Sequence, residues 1–375
     1  GGSFDSDACA YQLRVKRGFI DRFAGTDRIK TAIAASKAMF PDANGPATTS
    51  MSVVVANAYN YPDALGGASL AGTSGGPLLL TSSASLSSGV ATEIERLGTD
   101  TVYVVGGKAA VSDNVVDQIE AIDPDIEVIR VSGTDRIKTA VAIARETADM
   151  SGDPSVAILA YAYNYPDALA ATPIAASQQV PILLTGSATL APDTNAALTD
   201  LGVTDVINMG GTSAISSGIE TYLTTKLGAG HVLRLAGGNR YETAKLFASW
   251  ACDLTGPGTR DDDGIGTSAS TDLLLPLNPE SIGIASGMTY ADALPGGVAC
   301  GLNWCPLLLA SPSSPYGYIQ AEHDGALPAG DTDWVTDYVG DNGFPFSPSV
   351  IFGGNAAISH STGAVLDNNL MQINF

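Results

Sequence analysis

Short, almost unbroken apolar runs punctuate this chain, and between them small apolar residues return every three or four positions. Val102–Val105, Val156–Leu159 and Ile182–Leu184 are runs of the first kind. Their length and continuity predict strands buried on both faces. The stretches between them have helical spacing: Ile137, Ala140, Val141 and Ala144 fall on one face, with Arg145 and Glu146 outside it. Regular alternation of the two kinds predicts an α/β fold with parallel sheets and helices on both sides.

The pattern repeats. Arg22-Phe23-Ala24-Gly25-Thr26-Asp27-Arg28-Ile29-Lys30-Thr31-Ala32 returns as Arg130-Val131-Ser132-Gly133-Thr134-Asp135-Arg136-Ile137-Lys138-Thr139-Ala140. A looser copy reads Arg234-Leu235-Ala236-Gly237-Gly238-Asn239-Arg240-Tyr241-Glu242-Thr243-Ala244. Three further blocks follow in the same order each time. The first is Asn60-Tyr61-Pro62-Asp63-Ala64-Leu65, then Asn164 to Leu169, then Thr289-Tyr290-Ala291-Asp292-Ala293-Leu294. The second is Pro77 to Thr81, Pro181 to Thr185 and Pro306 to Ala310; the third ends in Gly106-Gly107, Gly210-Gly211 and Gly353-Gly354. Each glycine pair precedes a serine suited to a helix N-cap: Ser112, Ser216 and Ser359. Repeats of roughly 105 residues in register mean internal triplication.

This periodicity divides the chain into an arm (1–20) and three modules (21–127, 128–230 and 231–375), each with about four strands. The third module carries insertions near 256–280 and 311–349, expected to be loops or surface excursions. Its opening Gly-Gly-Asn-Arg lacks the aspartate of the other two, so an acidic partner is expected to be lost there.

Composition narrows the function. The net charge is −21, from 39 acidic and 18 basic residues, which disfavours nucleic acid and anionic membrane as partners. No apolar run is long enough to span a bilayer. The start, Gly1-Gly2-Ser3-Phe4-Asp5, has neither a basic region nor an apolar one, as in a processed form or one whose targeting segment has been removed. Cys9, Cys252, Cys300 and Cys305 permit two disulfides, Cys300 with Cys305 and Cys9 with Cys252, or else stay as buried thiols. The three histidines are isolated, and no zinc spacing or cofactor motif is present. Asp261-Asp262-Asp263 offers a calcium reading through Asp261 and Asp263, against the simpler one of an acidic solvated loop.

Ligand sites in parallel sheets form beyond the carboxyl ends of the strands. That rule groups Arg28, Asp63, Gly106 and Gly107 at one edge, Arg136, Asp167, Gly210 and Gly211 at a second, and Arg240 and Asp292 at a third. Thr81 and Thr185 are expected at the exposed ends of their strands. Two readings of the Asp/Arg sets stand side by side. The arginines and helix N-termini face an anionic group on a polymer, or Asp63 beside Arg28 is a buried ion pair locking two loops.

Taken together and in order, these blocks resemble the cell wall binding repeat 2 family, over roughly residues 20–370. The resemblance implies a Rossmann-like fold for each module, a pseudo-threefold arrangement and a place on the surface of Gram-positive cells. It implies non-covalent attachment to an anionic cell wall polymer and favours the Asp/Arg sets as module-defining residues. A non-catalytic, secreted wall-binding protein is therefore expected, without cofactor. The alternative is an extracellular structural protein that self-assembles into a layer or filament, which makes a homo-oligomer possible. No hydrolase motif occurs, and the carboxylates repeat without the asymmetry an acid/base pair needs.

Overall fold

The computed structural model describes residues 20–41, 52–252, 274–277, 281–311, 349–353 and 358. The flanking arms and most of both insertions lie outside the described residues, as do Cys9, Asp261, Asp262, Asp263, Gly354 and Ser359.

The first repeat contributes β1 (Ile20–Phe23), α1 (Arg28–Met39), β2 (Ser52–Asn57), α2 (Tyr61–Thr73), β3 (Leu78–Thr81), α3 (Ser88–Leu97), β4 (Thr101–Val105) and α4 (Asp113–Glu120). The second contributes β5 (Glu127–Val131), α5 (Arg136–Ser151), β6 (Val156–Tyr161), α6 (Pro166–Leu169), α7 (Thr172–Ser177), β7 (Ile182–Thr185), α8 (Pro192–Asp200), β8 (Asp205–Met209) and α9 (Ser217–Leu227). The third contributes β9 (Val232–Leu235), α10 (Arg240–Ala251), β10 (Gly283–Ser286), α11 (Ala293–Leu302), β11 (Leu307–Ala310) and β12 (Ser349–Phe352).

Local chemistry sets many of the boundaries. Asp27, Asp135 and Asn239 are the N-caps of α1, α5 and α10, each accepting backbone N–H groups of the first turn. Asn239 does for α10 what aspartate does for the others, so the third copy loses a charge but no cap. Prolines at the first helical positions open α2, α6, α7 and α8. Strands β2, β3 and β7 are buried along their whole length, as their apolar runs predict, and so is β8 although it carries Asp205 and Asn208.

The strands form three parallel sheets of four, ordered β3-β2-β4-β5, β7-β6-β8-β9 and β11-β10-β12-β1. Repeat and sheet are therefore offset by one strand. The strand that opens each repeat completes the sheet of the one before it, and β1 completes the third. A shared core follows from this geometry. The inner faces of all three sheets join one apolar cluster that includes Val54, Leu80, Ile158, Leu184, Ala285 and Leu309. The outer faces of the first two sheets have separate cores beneath their own helices.

Helices α2, α7 and α11 pack against one another at the centre. They approach closely through glycine. A Cβ on Gly72 would overlap the Ala176 carbonyl of α7, and one on Gly297 would overlap the Thr172 hydroxyl. Of the first insertion, Leu274 and Leu277 are buried, and the Leu275 backbone exchanges two hydrogen bonds with the Gln178 side chain.

Candidate functional site

The three blocks that open repeats and the three that open α2, α6 and α11 meet where the central helices begin. In each opening block a glycine N–H (Gly25, Gly133, Gly237) donates to a threonine hydroxyl one turn into the helix (Thr31, Thr139, Thr243), at 3.1–3.2 Å. The arginine after the cap then reaches the carboxyl end of its own repeat's second strand. Arg28 Nη1 donates to the Ala58 carbonyl at 3.0 Å, Arg136 Nη1 to Ala162 at 2.9 Å and Arg240 Nη1 to Gly287 at 2.6 Å.

The aspartates are charged neighbours of a different arginine from the one expected. Asp63 and Asp292 are buried, at 7% and 8% exposed.

 Asp167 is the more open of the three, half-buried beside Thr243. Burial raises all three carboxyls above the ordinary aspartate range, Asp63 to about 6. The arginine that partly offsets this comes from the next repeat around the ring: Arg136 for Asp63, Arg240 for Asp167 and Arg28 for Asp292. The expected pairing of Asp63 with Arg28 is thus corrected, because the offset of repeat and sheet sets each aspartate against its neighbour's opening block. Asp167 and Asp292 also hydrogen-bond Thr243 and Thr31, again across repeats.

The glycine pairs serve these aspartates. Gly106 and Gly210 have φ of +103° and +93°, and a Cβ on either would stand 2.5 Å from a carboxylate oxygen of Asp63 or Asp167. The second glycines, Gly107 and Gly211, have no such contact; a Cβ there meets nothing closer than 3.9 Å. Arg22, Arg130 and Arg234, which sequence reasoning quoted but did not single out, hold the same loops. They donate to the carbonyls of Gly353, Gly106 and Gly210 at 2.7, 2.9 and 2.7 Å. Thr81 and Thr185 are fully buried rather than exposed, and each hydroxyl accepts a backbone N–H from the loop that follows (Ser87 and Ala191).

Tyrosine was the larger omission. Tyr61, Tyr165 and Tyr290 form a closed triad, with ring centroids 5.2, 5.3 and 5.7 Å apart. The Tyr61 hydroxyl donates to Ala162 O at 3.1 Å and that of Tyr165 to Met288 O at 3.0 Å, while Tyr290 accepts from Arg28 at 3.3 Å. Each bond crosses from one repeat to the next. Burial raises the Tyr61 and Tyr290 phenols, so they remain hydroxyl groups at neutral pH. Their recurrence in all three copies was the available signal. Outside the triad, Tyr59, Tyr163 and Met288 are exposed at matching positions.

This junction brings three arginines and five tyrosines together on a chain of net charge −21. Among the described residues no group of three His, Cys, Asp or Glu side chains is placed to hold a metal, and no helix is long and apolar enough to cross a membrane. Cys300 and Cys305 are buried thiols hydrogen-bonded to each other, not a disulfide, and Cys252 is buried elsewhere.

The chain resembles two solved structures. Against Cwp8 from Clostridium difficile the TM-score is 0.73 at 19% identity, covering 97% of this chain and 54% of that one. Against Cwp6 from Clostridium difficile it is 0.71 at 21% identity, covering 93% and 48%. Identities this low show the fold alone. In sequence, the chain is 28% identical over 277 residues to the N-acetylmuramoyl-L-alanine amidase LytC of Bacillus subtilis, 74% of this chain and 47% of the amidase. It therefore spans about half the length of these relatives. The family model for Cell wall binding domain 2 (CWB2) matches it three times, at residues 22–116, 130–220 and 234–362. With the triplicated blocks, the three parallel sheets and these three matches in agreement, the chain belongs to the cell wall binding domain 2 family, proteins of the cell surface associated with the cell wall.

Proposed function

We propose that the chain is a non-catalytic retention module that holds an anionic cell wall polymer at the junction of its three repeats. One observation carries this reading: Arg28, Arg136 and Arg240 are anchored alike at three strand ends around the tyrosine triad. Each guanidinium commits Nη1 to a carbonyl and keeps further donors for an anion. An acidic protein that binds an anion needs such a local concentration of positive charge, because its overall field opposes the approach. The absence of a reaction is supported by the carboxylates. Asp63, Asp167 and Asp292 all shift in the same direction for the same cause, whereas acid/base hydrolysis needs two carboxyls driven apart.

Sedimentation with purified walls of the producing organism tests the reading. Binding is expected to fall with rising salt, and to be lost on walls stripped of anionic polymer. Undiminished binding to stripped walls would overturn the anionic ligand, and release of soluble wall fragments by the pure chain would overturn the non-catalytic role.

A further inference from the structure

Tyr59 and Tyr163 are 65% and 61% exposed, far more than large aromatic rings usually are. Neither is a loose surface side chain. The guanidinium carbon of Arg28 lies 5.1 Å from the centre of the Tyr59 ring, and that of Arg136 lies 5.0 Å from the centre of Tyr163. Tyr163 also packs against Tyr161, with centroids 5.7 Å apart. The backbone beneath is fixed too, since the Tyr59 N–H donates to Asn57 Oδ1 at 2.7 Å. The first and second repeats thus each present an aromatic plate beside a cation whose position is set by its bond to Ala58 or Ala162.

The third repeat keeps the cation and lacks the plate. Arg240 is anchored to Gly287 in the same way, and the Met288 N–H donates to Ser286 Oγ at 3.2 Å, as Tyr59 does to Asn57. Where the first two repeats carry tyrosine the third carries Met288, 56% exposed.

We propose that Tyr59 with Arg28, and Tyr163 with Arg136, form two equivalent subsites for a sugar ring bearing an acidic substituent, and that the third repeat has none. The apolar face of a pyranose lies on the exposed tyrosine, and its phosphate or carboxylate meets the adjoining guanidinium. Arginine alone would serve a bare anion; the plate adds selection for the ring that carries it. The inference rests on the wall-binding reading above and assigns its ligand class and its two-site stoichiometry.

The test compares Tyr59→Ala/Tyr163→Ala, Met288→Ala and Met288→Tyr with the parent by wall sedimentation, with melting curves to confirm folding. The double variant is expected to lose about tenfold or more in affinity, equivalent to about 1.4 kcal/mol. Met288→Ala is expected to match the parent, and Met288→Tyr to bind more tightly. A parallel titration with N-acetylglucosamine 6-phosphate, N-acetylglucosamine and inorganic phosphate is expected to saturate two sites, with the sugar phosphate binding best. Parental wall binding by the double variant, an equal loss in Met288→Ala, or inorganic phosphate binding as well as the sugar phosphate would each overturn the subsites while leaving wall retention intact. A parent chain that does not sediment with walls would instead overturn the retention reading itself.

Discussion

Asn208 sits on the central strand β8, fully buried, and neither its side-chain nitrogen nor its oxygen has a hydrogen-bond partner. The matching residue of the first repeat is Val104, buried in the outer core of its own sheet. An unsatisfied buried amide costs about 1–3 kcal/mol, so Asn208→Val is expected to stabilise the chain by that order, read as a higher urea midpoint at unchanged slope. Asp63 gives a pH prediction of definite sign. Its folded value, about 6, lies above the ordinary 3.8, so its contribution to stability is fullest below 3.8 and is lost as pH rises through 6. Asp63→Asn removes that loss. Relative to the parent, the variant is expected to be more stable at pH 7.5 than at pH 4.5, by about 3 kcal/mol at most. Urea titrations of both proteins at the two pH values measure this; equal differences would assign the shift elsewhere. Arg28 and Asp63 were legible in the sequence as recurring residues. Their partners were not, because a repeat alignment shows which residues are equivalent and not which copy each one faces.

The elements themselves were legible. Continuous apolar runs became strands buried along their length, and the Asp27 and Asp135 caps start helices where the motif begins. The offset between repeat and sheet was hidden, since Val128 to Val131 has the same pattern whichever sheet it joins; pairing is a non-local property. Close approach of the central helices was hidden for a similar reason. Gly297 and Gly211 look alike in sequence, yet one faces Thr172 across a helix contact and the other faces open space. Gly297→Ala is therefore expected to destabilise by about 1–3 kcal/mol through overpacking, whereas Gly211→Ala stays within about 0.5 kcal/mol. Thermal unfolding of the two variants separates a helix contact from a turn that tolerates a side chain.

For the whole molecule, the seam between the third repeat and the first differs from the other two in one respect. All three use the same clasp. The glycine N–H that ends one repeat's last strand donates to the carbonyl that ends the next repeat's first strand: Gly106 to Val131, Gly210 to Leu235 and Gly353 to Phe23. At the first two seams the chain runs on from one strand to the other through a single helix, α4 or α9. At the third, β1 and β12 come from opposite ends of the sequence, joined by parallel pairing, the Arg22 bonds to Gly353 and Ile358, and the Phe23–Phe352 ring contact. Removing residues 1–23 would strip the third sheet of its edge strand and expose the flank of β12, an invitation to pairing between copies. Because the three sheets share one inner core, the damage should not stay local. The truncated chain is expected to unfold in one transition at a lower temperature and to form oligomers whose mass rises with concentration. Calorimetry and light scattering at two concentrations test both points. A truncated chain that stays monomeric and loses only a separate, early-melting third repeat would show that each repeat folds by itself.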